Sequence, residues 1–123
     1  MRRSYHSNKE RSKDSEKRAA KLFGGRIQPA SGAINAFNLK GDVMSRHFLV
    51  DDKVTKSNSY RIEKALWQKL TKEAFMNDVW PALRVELGEG GDVELVVISA
   101  LAFTKLITAY EELQKIAAPL KGH

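Results

Sequence analysis

The sequence predicts an α/β protein with a mixed sheet, ordered helix, three-strand meander, helix, two strands, C-terminal helix. Three observations predict it. Apolar residues recur at helical spacing near residues 10–23, 60–80 and 102–117; elsewhere they alternate or run together in short stretches; glycine and proline punctuate the junctions. The 123 residues suit one core. The expected layout is a flexible basic arm over 1–9, a single domain over 10–118 and a tail over 119–123.

The first helix, Glu10 to Phe23, gains an apolar side from Ala19, Ala20, Leu22 and Phe23. Helical spacing puts Glu16 on the face of Ala19, Ala20 and Phe23, so its acid points inward and needs a cation or hydrogen-bond donors. A helix salt bridge with Lys13 or Lys17 is the simplest partner. Gly24-Gly25 stops the helix, a short strand follows around Arg26 to Gln28, and Pro29 ends it. The small residues Ala30-Ser31-Gly32-Ala33 let the backbone approach a neighbour closely, whether a phosphate or the next turn.

Lys40 to Thr55 is the most informative stretch. Asp42 precedes a short strand, a turn near Ser45 and Arg46 reverses the chain, and a second strand ends in Asp51-Asp52-Lys53. Strand alternation turns His47, Leu49, Asp51 and Lys53 to one face and Phe48, Val50, Asp52 and Val54 to the other. An acid and an amine thus share a face, with Asp42 brought alongside by the hairpin. Such a group can hold a hard divalent cation and a water; the plainer account is a charged edge strand that resists aggregation.

Lys56-Ser57-Asn58-Ser59 offers capping residues for a helix from Tyr60 to Trp80, with Ile62, Leu66, Leu70 and Ala74 on one side and Arg61, Lys64, Gln68 and Lys72 opposite. Pro81 marks its end. Ala82 to Leu87 reads as a strand, Gly88-Glu89-Gly90-Gly91 as a turn, and Asp92 to Ser99 as a strand buried on both faces. The last helix, Ala102 to Ala117, is expected to pack inward through Phe103, Leu106, Ile107, Tyr110, Leu113 and Ile116.

Composition narrows the function classes. There is no cysteine, so disulfides and thiolate metal sites are excluded, and His6, His47 and His123 lack zinc-ligand spacing. The longest apolar run, Leu95 to Phe103, is too short to span a bilayer, and the polar N-terminus argues against secretion, so a cytoplasmic protein without membrane partners is expected. The net charge is +6, with Arg2, Arg3, Lys9, Arg11, Lys13, Lys17, Arg18 and Lys21 crowded into the first part of the chain. A polyanion such as nucleic acid is the expected partner.

Taken in order, Glu16 in the first helix, Ser31-Gly32-Ala33, Gly41-Asp42-Val43 and Asp51-Asp52-Lys53 resemble the PD-(D/E)xK nuclease superfamily. The compact size and the Ser-Gly-Ala and Lys-Gly-Asp signatures look like the archaeal and phage-type Holliday junction resolvases, and the similarity spans Glu16 to Phe103. It implies a restriction-endonuclease-like core and a Mg2+-dependent endodeoxyribonuclease that cuts branched four-way junctions as a homodimer, with Mn2+ able to substitute. A phage-encoded protein acting in the host cytoplasm fits the same analogy. By resemblance Asp42 bridges to the metal, Asp51 is the acid of the (D/E)xK motif, and Lys53 orients the attacking water. Glu16 completes the site, Asp52 adds a metal oxygen through its carbonyl, and Ser31 sits near the scissile phosphate. Gly41-Asp42 replaces the Pro-Asp pair and Asp51 the commoner glutamate, which leaves Asp51 and Asp52 both open as ligands.

DNA-backbone contacts are expected from Arg2, Arg3, Arg11, Lys17, Arg26, Ser31, Lys40, Lys56, Arg61 and Lys64; Trp67, Phe75 and Trp80 are candidate dimer contacts, although large aromatics on a packed helix are more often core. Two other readings stay open. One is a duplex or repair-type nicking nuclease of the same fold; the other is a non-catalytic DNA-binding recombination accessory protein.

Overall fold

A computed structural model describes residues 8–27 and 43–117. Its elements are α1 (Asn8–Phe23), β1 (Arg26–Ile27), β2 (Val43–Met44), β3 (Phe48–Val54), α2 (Lys64–Met76), β4 (Trp80–Leu87), β5 (Val93–Val97) and α3 (Ala100–Ala117), in the predicted order. The strands form one mixed five-stranded sheet in sequence order. Only β3 and β4 are parallel, because α2 carries the chain back between them; the other neighbours are antiparallel.

The two sheet faces follow from alternation along β3. Phe48 and Val50 pack with Ala19, Ala20 and Phe23 of α1, together with Val43 and Ala82. Leu49 packs instead with Leu70 and Ala74 of α2, beside Met44, Trp67 and Val79. The sheet is therefore covered by α1 on one face and by α2 on the other. β4 is an interior strand between β3 and β5, and its residues Pro81 to Glu86 are all buried.

The α1 face of the sheet carries charge where a core is usually apolar. Arg84, 1% exposed, donates to Asp52 (Nη1 to Oδ1, 2.8 Å), to the Ser15 hydroxyl (3.1 Å), to Glu94 (Nε to Oε2, 2.7 Å) and to Glu86. Ser15 in turn donates its hydroxyl proton to Asp52. Arg18 grips Glu86 with two bonds, Nε to Oε2 at 2.6 Å and Nη2 to Oε1 at 2.7 Å. Burial alone would lower the Arg84 pKa, but the carboxylates of Asp52, Glu86 and Glu94 hold it above its usual value. Burial likewise pushes Glu86 up, and hydrogen bonds from Arg18 and Arg84 more than offset that and leave its pKa lowered.

Six expectations are corrected. α2 starts at Lys64 and not at Tyr60, and its N-cap, Glu63, makes no side-chain cap. The serines read as caps serve the loop instead, since Ser57 N–H donates to the Thr55 hydroxyl and Ser59 N–H to that of Ser57. α2 also ends early, at Met76, in a Schellman arrangement: Val79 N–H donates to Ala74 C=O (3.0 Å) and Asp78 N–H to Phe75 C=O (3.1 Å). Asp78 takes the left-handed conformation, φ +60°, that glycine usually fills there. Pro81 is thus not a helix end but a strand residue, tolerated because it faces Leu49 of β3 while pairing with β5 begins only at Leu83.

The remaining two corrections concern burial. β5, expected to be buried on both faces, is an edge strand whose Val93 to Val96 are exposed. α3 buries only Ala102, and the apolar residues expected to face inward are 42–67% exposed. Its start is well capped, with Ala102 N–H donating to the Ser99 hydroxyl at 3.1 Å.

Two stability outcomes follow. Arg84→Leu should cost about 3–5 kcal/mol in urea unfolding, because it strands buried carboxylates, whereas Glu94→Gln should cost no more than about 1 kcal/mol, since Glu94 stays partly in water. Asp78→Gly should raise stability by about 1 kcal/mol by relieving the left-handed backbone, measured in the same unfolding experiment.

Candidate active site

The candidate site lies toward the C-terminal end of β3. Lys53 and Asp51 are two residues apart on the strand and share the α2 face, so an ion pair forms between Lys53 Nζ and Asp51 Oδ1 at 3.3 Å. The Asp51 side chain is 16% exposed and that of Lys53 36%, so the pair is reachable from solvent without lying flat on the surface. β4 backs it, with Leu83 opposite Asp51 and Val85 opposite Lys53 in the parallel register. The hairpin that delivers β3 is closed by Ser45, whose N–H donates to Phe48 C=O (2.8 Å) while its hydroxyl accepts from Phe48 N–H (2.9 Å).

Asp52 points the other way. Its carboxylate accepts from Ser15 and Arg84 on the α1 face. Its side chain is thereby committed to the buried network, and of the two neighbouring acids Asp51 is the one that accompanies Lys53. Glu16 belongs with Asp52, not with Asp51. Burial raises the Glu16 pKa above the usual carboxylate value, the negative charge of Asp52 raises it further, and Lys13 opposes both weakly. The three acids are thus split between two faces, and no group of three or more His, Asp or Glu suited to a metal ion occurs among the described residues. Asp42, Ser31, Lys40, Arg2 and Arg3 lie outside the described residues, as does the side chain of Arg11.

A hard divalent cation prefers several oxygen ligands, at least one of them a carboxylate. Asp51 suits that donor set, while the Asp52 carboxylate, held by a guanidinium, does not. The proposed second carboxylate, Asp42, immediately precedes β2 in the sequence.

The predicted DNA contacts Lys17, Arg26, Lys56, Arg61 and Lys64 are all exposed. Lys56 and Arg61 sit in the loop that follows β3, and Lys64 opens α2, so this basic run starts just past Lys53. Arg26 joins a residue the sequence reading passed over, Arg46. Both line a cleft of about 370 Å³ with Gly24, Gly25, Met44 and Ser45. Gly25 is required there, because a Cβ at this position would stand 2.5 Å from the Met44 carbonyl oxygen. Trp67 and Trp80 are half-buried, Trp67 against the α2 core and Trp80 edge-on to the more exposed Phe75 at 5.9 Å. They are packing residues.

The sequence reading also missed Ser15, Arg18, Arg84, Glu86 and Glu94. One signal was present: Arg84 and Glu86 alternate with Leu83, Val85 and Leu87, an opposite-charge pair at strand spacing inside an apolar stretch.

No protein-family model, no curated protein and no solved structure matches this chain.

The Glu16 environment gives a signed pH dependence. A carboxyl whose folded pKa lies above its unfolded value disfavours folding once ionised, so its cost is full above the folded pKa and disappears below the ordinary value of 4.5. Glu16→Gln should therefore melt above the parent protein at pH 7, with the difference closing as the pH falls below that value. Thermal unfolding followed from pH 3 to 8 measures it.

Proposed function

We propose that this chain is a magnesium-dependent, structure-selective DNA endonuclease that resolves four-way junctions by phosphodiester hydrolysis. The observation that carries this reading is the Asp51–Lys53 pair: an acid and an amine 3.3 Å apart on one sheet face, set just ahead of a run of exposed basic residues. The resemblance of Asp42, Asp51 and Lys53 to the PD-(D/E)xK pattern supplies the chemistry.

In this reading Asp51 and Asp42 hold Mg2+, and Mn2+ can replace it. The bound ion supplies Lewis-acid polarisation of the phosphate and a lowered pKa for water. Lys53 places a fixed positive charge beside the attacking water and the phosphate, where negative charge accumulates, and Asp51 holds its ammonium in position. Arg26, Arg46, Lys56, Arg61 and Lys64 bind the DNA backbone, since guanidinium and ammonium groups offset phosphate repulsion. Asp52 contributes its backbone carbonyl and not its carboxylate. The reading does not depend on Glu16, which faces Asp52.

One observation favours a second reading. Because no group of three or more metal-ligating side chains occurs among the described residues, a non-catalytic DNA-binding protein with the same basic surface is the competing account.

An end-labelled immobile four-way junction, assayed beside the matching linear duplex with magnesium and with chelator, separates the readings. Paired nicks near the crossover that need magnesium are expected. Lys53→Ala should slow cleavage by about 10²–10³-fold. Asp51→Ala should abolish cleavage while junction binding is kept or tightened, because a repelling carboxylate is gone. Equal cutting of both substrates would point to a general nuclease, and binding without cutting would support the accessory role.

A further inference from the structure

α3 is a well-formed helix with no other described residue along most of its apolar side. Among the described residues its first turns meet the body, where Ala102, Lys105 and Leu106 share a cleft with His47, Phe48 and Trp80. Beyond that point Tyr110, Leu113 and Ile116 are 59–67% exposed. The spacing of the apolar side is informative. Phe103, Leu106, Tyr110, Leu113 and Ala117 follow one another at intervals of three, four, three and four, the repeat of a helix that packs lengthwise on another helix. The flanks of this seam, Ile107, Ala109, Gln114 and Ile116, are uncharged, so two copies meet there without like-charge repulsion. The charges lie on the opposite side, where Lys115 pairs with Glu112 at 3.5 Å.

We infer that α3 is a self-association surface, pairing with α3 of a second copy of this chain. The area argues for it. Six large apolar side chains at about half exposure offer on the order of 600 Å² per copy, the upper end of what a monomer leaves exposed. Pairing two copies buries on the order of 1,200 Å², enough for a specific dimer. Other occupants fit less well. Residues 28–42 contain Ile34, Phe37 and Leu39, too few and wrongly spaced for a five-rung seam. An anionic membrane would select a cationic polar face, whereas that of α3 balances Lys105 and Lys115 against Glu111 and Glu112. The surface differs from Trp67, Phe75 and Trp80, the dimer contacts weighed from the sequence against a core role, and the inference does not depend on nuclease activity.

Sedimentation velocity of the full chain across micromolar concentrations tests it. A species of twice 13.8 kDa is expected, and Leu113→Glu should weaken its self-association by about 30-fold or more. Because Leu113 is 63% exposed, that variant should keep the parent near-ultraviolet circular dichroism as a monomer. Met76→Glu, an exposed apolar site on α2, should leave the dimer intact. A monomeric parent protein, or a dimer that persists in Leu113→Glu, would overturn the inference. So would a protein that gathers only on lipid vesicles.

Discussion

The buried Arg84 guanidinium is the interaction on which the arrangement depends. It joins β3 through Asp52, β5 through Glu94 and its own strand through Glu86, and with Ser15 it ties α1 onto the sheet. A charge this deep is tolerated only with close partners, and the carboxylates supply them. Removing any fully buried member leaves the others exposed to a desolvation cost that no water relieves. The set works as a geometric lock more than as a source of stability, since an apolar replacement of the whole group could pack as well.

That lock bears directly on the candidate site. Once Asp52 is committed to Arg84 and Ser15, the period of two along β3 leaves Asp51 and Lys53 no choice of face. A register slip by one residue would bury Lys53 against α1 and turn Asp52 outward, and the buried network would lose its central acid. Charges are thus interleaved along three consecutive residues, Asp52 held in the buried network and Asp51 and Lys53 paired on the opposite face. Glu16 sits on the same side as Asp52, where burial first and then the negative charge of Asp52 make its ionisation unfavourable.

The sheet is unequal across its width. β4 is buried along its middle, while β5 at the edge exposes Val93, Leu95 and Val96 and leads into α3, whose apolar side is exposed. Apolar surface therefore gathers at the C-terminal end of the chain, and exposed basic groups gather along α1, the hairpin turn and the loop after β3. The basic groups and the apolar side of α3 belong to different elements, so the proposed DNA binding and the proposed self-association need not compete for the same residues.

Much of this was legible in the sequence because it is local. Element order follows from periodicity and from glycine and proline positions, and the shared face of Asp51 and Lys53 follows from strand alternation alone. Where local signals misled, a tertiary or backbone contact had outweighed them. Asp78 took the left-handed turn without a glycine to announce it, Pro81 entered a strand at a position that β5 leaves unpaired, and Ser57 and Ser59 bonded within their own loop. The sequence by itself determined which side chains travel together on each strand and helix, because those periods are properties of the backbone. Only the tertiary structure decided which faces meet: that Asp52 answers to Arg84, that Glu16 stands with Asp52, and that the apolar side of α3 stays exposed. Those choices depend on contacts between residues far apart in the chain, and no local pattern encodes them.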